Sequence, residues 1–311
     1  MQFKLLIFIL SIIPFFSYAK TIPNIGFVVK SINNDFFKEM ENGAKKYNNL
    51  NNNEFNLIFK SIPNETDSNL QIKIINDLIN TNIEALIVAP VDSKKIIPVL
   101  LNAINKNIIV INIDNKIDER TLLSNNVTIP FVGPSNYDAA LEAAKILIDK
   151  KLKPNMSAAI IEGISSSINA KARSDGFRDA LLANHINIAD VRSGFWEEGK
   201  AYWAAMEILK LHPEIKAILC GNDNMAIGAL KAIKKMNLQN KIEIIGYDNI
   251  PKILPFIKSR EIFSTVDQYP GIQAEKSIEM ALNALSKQLK QSNLPLITKT
   301  PTKVIWNTSV K

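Results

Sequence analysis

Lys30, Asn34, Phe36 and Phe37 stand close together where an apolar run, Ile25 to Val29, gives way to helical spacing. A cation, an amide and two aromatic faces at such a junction suit a ligand that is polar at its rim and apolar on its flat sides. Groups of the same kind follow other apolar runs: Asp114 in NIDNK, Arg173 in AKARSDGF, Trp196 in SGFWEEG, Asn222 in CGNDNM, Asp248 in GYDNIP and Gln268 in STVDQYP. Carboxylates, amides and a guanidinium fork donate and accept at fixed angles, as the vicinal hydroxyls of a sugar require. Each charge-assisted bond contributes about 1.5 to 3 kcal/mol net, and an unmatched polar group costs about as much, so such a set rejects epimers. The C–H faces of a pyranose lie flat on Phe or Trp. Phe37 and Trp196 are the expected faces of a sandwich, with Asp114, Arg173, Asn222, Asp248 and Gln268 around its edge.

The elements that must position these groups alternate. Short β-branched runs at 25–29, 55–59, 85–89, 108–113, 158–161, 215–219 and 242–245 are separated by amphipathic stretches near 36–48, 67–80, 94–106, 136–150, 170–183, 197–210 and 222–236. This alternation predicts α/β architecture with parallel sheets flanked by helices. In open parallel sheets a ligand sits beyond the carboxyl ends of strands, where the residues above fall. Two such units follow one another, the first ending in a short strand near IPFVGPSN, where Ser135 or Asn136 is fit to cap the next helix. A last long helix in DQYPGIQAEKSIEMALNALSKQLK and a terminal strand KVIWN are too little for a third domain, so the chain crosses back. The expected division is a first lobe of 20–134 plus 269–296 and a second of 135–268 plus 297–311, joined by several crossings that act as a hinge.

At 311 residues, 47% hydrophobic and 22% charged, the chain can build a sizeable core. MQFKLLIFILSIIPFFSYAK has the form of a secretory signal peptide spanning residues 1–19, cut after Ala19, and the apolar stretch is short for a membrane span of about 20 residues. No cysteine follows it, so no lipid anchor is expected. The single cysteine, Cys220, excludes an internal disulfide and is expected to be packed. The net charge of +7 is spread along helices such as KAIKKM instead of forming a block with aromatic residues, which argues against nucleic acid.

Enzymatic readings find little support. There is no Gly-rich phosphate loop, zinc spacing or nucleophile elbow, so no cofactor and no metal is expected. His185 and His212 lack a neighbouring carboxylate pattern in the sequence. Asp114 and Asp248 could form an acid/base pair as in glycoside hydrolysis, but Arg173 beside them is expected to keep both ionised, whereas a general acid needs a raised pKa. Helix capping alone accounts for Asn222 or Ser135 taken singly. It does not call for Phe37, Trp196 and Arg173 at successive strand ends. Glu162 is a candidate to orient Arg173 or Lys30, and Asp223 a candidate cap.

The motifs VVKSINNDFF, NIDNKID, IIEG with ARSDGF, CGNDNMAIGAL and IIGYDNIP resemble, along essentially the whole mature length, the periplasmic sugar-binding proteins of the ribose-binding group, and within it the D-allose binders. The resemblance implies a type I periplasmic binding fold, two Rossmann-like lobes closing on one sugar. It implies a monomer in the periplasm that binds a monosaccharide, an allose-like aldohexose or related pentose, and delivers it to an ABC permease. A sensory receptor presenting its closed form to a membrane kinase or chemoreceptor would have the same cleft. A transcription regulator would need a helix-turn-helix where the signal peptide stands. By resemblance the ligand-contacting positions are Asn34, Phe36, Phe37, Asp114, Arg173, Trp196, Asn222, Asp248 and Gln268, with Lys30 added in the allose-like subset. Three positions depart from the pattern. Asn115 stands where ribose binders carry arginine, which argues against ribose; Asp35 replaces a proline; and GPSN replaces a threonine-aspartate-asparagine crossing.

Overall fold

The computed structural model describes residues 22–51 and 54–306; the expected signal peptide and its cleavage point lie outside them. The first half of the chain runs β1 (Asn24–Ser31), α1 (Asp35–Leu50), β2 (Asn56–Ile62), α2 (Ser68–Ile79), β3 (Ala85–Val88), α3 (Ile97–Asn105), β4 (Ile109–Ile113), α4 (Glu119–Ser124) and β5 (Phe131–Gly133). The second runs α5 (Asn136–Lys151), β6 (Ser157–Glu162), α6 (Ile168–Ala183), β7 (Asn187–Ser193), α7 (Glu198–Leu211), β8 (Ala217–Cys220), α8 (Asp223–Lys235), β9 (Glu243–Ile245), α9 (Leu254–Lys258) and β10 (Ser264–Asp267). It closes with α10 (Pro270–Ser286), β11 (Ile297–Lys299) and β12 (Lys303–Trp306).

Two six-stranded sheets result, in the orders β11-β5-β4-β3-β1-β2 and β12-β10-β9-β8-β6-β7. They are parallel but for β12, which runs antiparallel to β10. Both repeat one doubly wound order, whose crevice opens at the carboxyl ends of the strands. Helices cover both faces, so inner strands such as ALIV of β3 and AILC of β8 are buried at every residue. Cys220 is buried in β8, and burial pushes its thiol pKa up.

Among the described residues the chain passes between the lobes three times: from β5 to α5, from β10 to α10 and from β11 to β12. α10 packs on α1, completing the first lobe. The approach needs glycine at position 43, since a Cβ there would lie 2.4 Å from the Gly271 Cα. Residues 297–311, expected in the second lobe, divide: Ile297–Lys299 pair with Phe131–Gly133 in the first sheet, and the change of sheet falls just before Lys303. β7 is absent from the apolar runs found in the sequence; it is only partly buried, at an edge of its sheet. With one side unpaired it lacks the apolar run that marked the inner strands.

Candidate functional site

Lys30 is the last residue but one of β1 and is 3% exposed. Asn34 caps α1, its Oδ1 accepting from the Phe36 N–H at 3.1 Å while its Nδ2 donates to Glu65 Oε1 at 3.0 Å. That cap fixes the first turn, so Phe36 and Phe37 point inward as an edge-to-face pair with centroids 5.1 Å apart. Asp114 follows β4 in the left-handed region, φ 59°, and pairs with Lys30 at 3.0 Å. The Asn112 side chain ties this turn, donating to the Asn115 carbonyl at 2.7 Å and accepting from the Ile117 N–H at 3.0 Å.

The second lobe builds around Arg173. Its Nε donates to Asn136 Oδ1 at 2.7 Å, and its Nη1 donates to the Gly221 carbonyl at 2.7 Å and to Asp248 Oδ1 at 3.3 Å. The guanidinium lies 3.8 Å from the Tyr247 ring centroid and 5.5 Å from that of Trp196. Asn136 and Gly221, not Glu162, therefore orient it, and GPSN contributes by supplying Asn136. Trp196 sits at φ 65° with its indole over Gly163, where a Cβ would lie 2.0 Å from the ring. Asn222 caps α8 through the Met225 N–H at 2.9 Å and also donates to the Trp196 carbonyl at 3.3 Å, so it is both cap and wall.

Asp248, at φ 117°, accepts from Gln268 Nε2 at 2.6 Å. Asp223, read as a candidate helix cap, anchors the Asp248 loop: its carboxylate accepts from the Ile250 N–H at 2.9 Å and from Thr265 Oγ1 at 2.6 Å. Three site residues, Asp114, Trp196 and Asp248, thus have positive φ, a costly conformation for a side-chain-bearing residue that persists where its surroundings over-determine it.

The two sets meet in one narrow cavity of about 20 Å³ lined from both lobes. Every expected site residue except Gln268 lines it; Gln268 stands behind Asp248. Lys30 Nζ lies between the two expected ring faces, 5.7 Å from the Phe37 centroid and 5.9 Å from that of Trp196. Two lining residues escaped the sequence reading. Glu65 follows β2 in the NET tripeptide, and Asn169 lies in the first turn of α6, one turn before Arg173. Asn169 Nδ2 reaches across to Asp114 Oδ1 at 3.4 Å. Asn169 Oδ1 and Trp196 Nε1 are buried and have no hydrogen-bond partner among the described residues, which leaves one acceptor and one donor for a hydroxyl-bearing guest.

Burial dominates the electrostatics. It lifts Glu65 to about 7 against the pull of Lys30 and the Asn34 hydrogen bond. It lifts Asp248 to about 7 as well, outweighing Arg173, with Asp114 adding to the rise. The expectation that Arg173 keeps Asp248 fully ionised therefore holds only in part: one guanidinium, shared with Gly221 and Asn136, pairs with the carboxylate at 3.3 Å but offsets only some of the loss of hydration. His212, which has no carboxylate pattern around it in the sequence, lies 3.7 Å from Asp190 and 3.6 Å from Glu214 and does not line the cavity. Of the other departures, Asp35 pairs with the exposed Lys38 at 2.8 Å in the first turn of α1, and Asn115 is buried without lining the cavity.

The family described as periplasmic binding protein domain matches residues 25–289. The chain is 38% identical over 283 residues to a D-ribose/D-allose-binding protein of Pseudomonas aeruginosa, covering 91% of this chain and 88% of that one. It is 29% identical to the D-allose-binding periplasmic protein of Escherichia coli, over 83% of each. Among solved structures it superposes at TM-score 0.89 and 41% identity on an ABC transporter solute-binding protein of Burkholderia multivorans, covering 92% and 99% of the two chains. One from Actinobacillus succinogenes with bound D-allose gives 0.84 at 28% identity, covering 92% and 98%. All four carry the names of binding proteins, the two solved ones of ABC transporters, and with two α/β lobes around a shared cavity the chain belongs to the periplasmic binding protein family.

Proposed function

We propose that the chain captures a monosaccharide, an allose-like aldohexose or a related pentose, between its lobes and delivers it to the permease of an ABC importer. The observation that carries this reading is the single cavity in which the Phe37 and Trp196 rings and the Lys30, Asp114, Arg173 and Asp248 side chains meet from both lobes. The names of the Pseudomonas and Escherichia relatives, and the D-allose in the Actinobacillus structure, support the sugar class.

In this reading the sugar docks on one lobe with the cleft open, and closure adds the hydrogen bonds of the other. Shifting a pair of forms from 1:99 to 99:1 takes about 5.5 kcal/mol of differential binding, which two or three charge-assisted bonds made only on closing supply. The ion pairs Lys30–Asp114 and Arg173–Asp248 hold the polar tips in place beforehand, so little ordering remains for the ligand to impose. Export by the residue 1–19 signal peptide, a periplasmic location and a monomeric state belong to the same proposal.

The test is a thermal-shift and calorimetric panel of aldohexoses, pentoses and inositols on the mature chain, including D-allose and D-ribose. Saturable binding of a monosaccharide, with a change in Trp196 fluorescence in a Trp203→Phe, Trp306→Phe background, is expected. No response at millimolar concentration to any of them overturns the reading.

A further inference from the structure

α6 starts without a side-chain cap of its own. Ser167, at its N-cap position, donates its hydroxyl to the Val91 carbonyl of the first lobe at 3.2 Å instead of accepting from the helix. The free N–H groups of the first turn are served from the opposite lobe. The Ile168 N–H donates to Ser93 Oγ at 3.2 Å, and the Asn169 N–H donates to Asn115 Oδ1 at 3.1 Å. The Ser93 N–H donates in return to the Ser166 carbonyl at 3.2 Å. Asn115 is held for this task, its Nδ2 donating to the Pro90 carbonyl at 3.1 Å and to Ser93 Oγ at 3.2 Å.

Asn115 and Ser93 are 0% and 2% exposed, and neither lines the cavity. Parting the lobes removes the cap from α6 and hydrates both residues; bringing them together restores it. The loss of a side-chain cap shifts a helix's equilibrium by a factor of about 5 to 10. The cap also adjoins the cavity at two consecutive residues: Asn169 is held through its backbone by Asn115 and through its side chain by Asp114.

We propose that Asn115 and Ser93 form a closure latch, which caps α6 only when the lobes meet and so sets the open–closed equilibrium without taking part in the choice between sugars. The inference rests on the hinge-closure reading above. Because apparent affinity scales with the fraction of closure-competent protein, the latch multiplies the affinity for every bound sugar by one common factor. It also gives a role to the asparagine that departs from the ribose-binder pattern: it faces the other lobe and not the cavity.

The test compares the mature wild-type chain with Asn115→Ala and the milder Ser93→Ala. Calorimetry on the sugars that bind, small-angle scattering of ligand-free protein and amide exchange at Ile168 and Asn169 are the readouts. For Asn115→Ala we expect affinity about tenfold weaker for each sugar, with their ratios kept. We also expect a larger ligand-free radius of gyration and faster exchange at the two amides. Unchanged affinity, or ratios between sugars that shift, overturns the latch. If the wild-type chain binds no monosaccharide, the capture reading falls instead, and scattering and exchange still decide: values for Asn115→Ala equal to wild type overturn the latch.

Discussion

The Lys30 ammonium and the Asp114 carboxylate meet at 3.0 Å although they leave strands that are not neighbours, with β3 running between β1 and β4. The pair bridges the end of β3, and both side chains are 3% exposed. Breaking a buried pair from one side leaves an uncompensated charge and costs about 3 to 5 kcal/mol.

Lys30→Met is therefore expected to lower the melting temperature and abolish sugar binding together. Lys30→Met with Asp114→Leu should recover much of the stability, because replacing a buried pair by apolar groups is close to neutral, and should not recover binding. Thermal denaturation of both chains checks this, and a double variant no more stable than the single one contradicts it.

Asp248→Asn keeps the shape of the loop and removes its charge from Arg173 and Gln268. Charge-assisted bonds are worth about 1.5 to 3 kcal/mol, so binding should weaken by about 10- to 100-fold while the fold survives. Calorimetry against the best sugar reads the effect, and wild-type affinity would remove Asp248 from the site.

Glu65 and Asp248 are both raised to about 7 in the closed cleft, chiefly by burial. A carboxyl raised on closing favours the closed form while it is protonated, and that advantage fades as pH rises through about 7. Glu65 faces Lys30, Asn34 and Asp114, and Asp248 faces Arg173, Asp114 and Gln268. Sugar binding should thus be tighter at pH 6 than at pH 8 and take up protons. Titrations in buffers of unlike ionisation enthalpy measure the uptake; affinity that is flat or tightens as pH rises is the contrary outcome.

Gly163→Ala places a methyl 2.0 Å from the Trp196 ring. The indole must move, so binding should fall at least tenfold, of the order of one misplaced core group. Gly199→Ala, exposed near the start of α7 with nothing among the described residues within 4 Å of its Cβ, is the control and should stabilise by about 0.5 to 1 kcal/mol. Equal effects in the two variants would deny Gly163 its role beneath the indole.

Most of the cavity wall was legible because each residue follows a strand, and the inner strands are apolar throughout. Ala85–Val88 and Ala217–Cys220 could be found by composition, and their carboxyl ends pointed to what came next. Glu65 went unread since its strand, β2, is partly exposed and its boundary indistinct. Asn169 looked like one more polar residue in the first turn of a helix. The left-handed backbone at Asp114 had a weak signal, aspartate being tolerant of it; at Trp196 there was none, because only Gly163 and the surrounding turn impose it.

Sequence alone determined the alternation of strands and helices, the doubling of that pattern and the kinds of side chain at strand ends, because periodicity and residue chemistry are local properties. Tertiary structure alone decided that Ile297–Lys299 join the first sheet, that burial outweighs Arg173 at Asp248, and that Asn115 caps a helix of the other lobe. Each of these depends on which distant segments share a low-dielectric interior, and separation along the chain carries no measure of that.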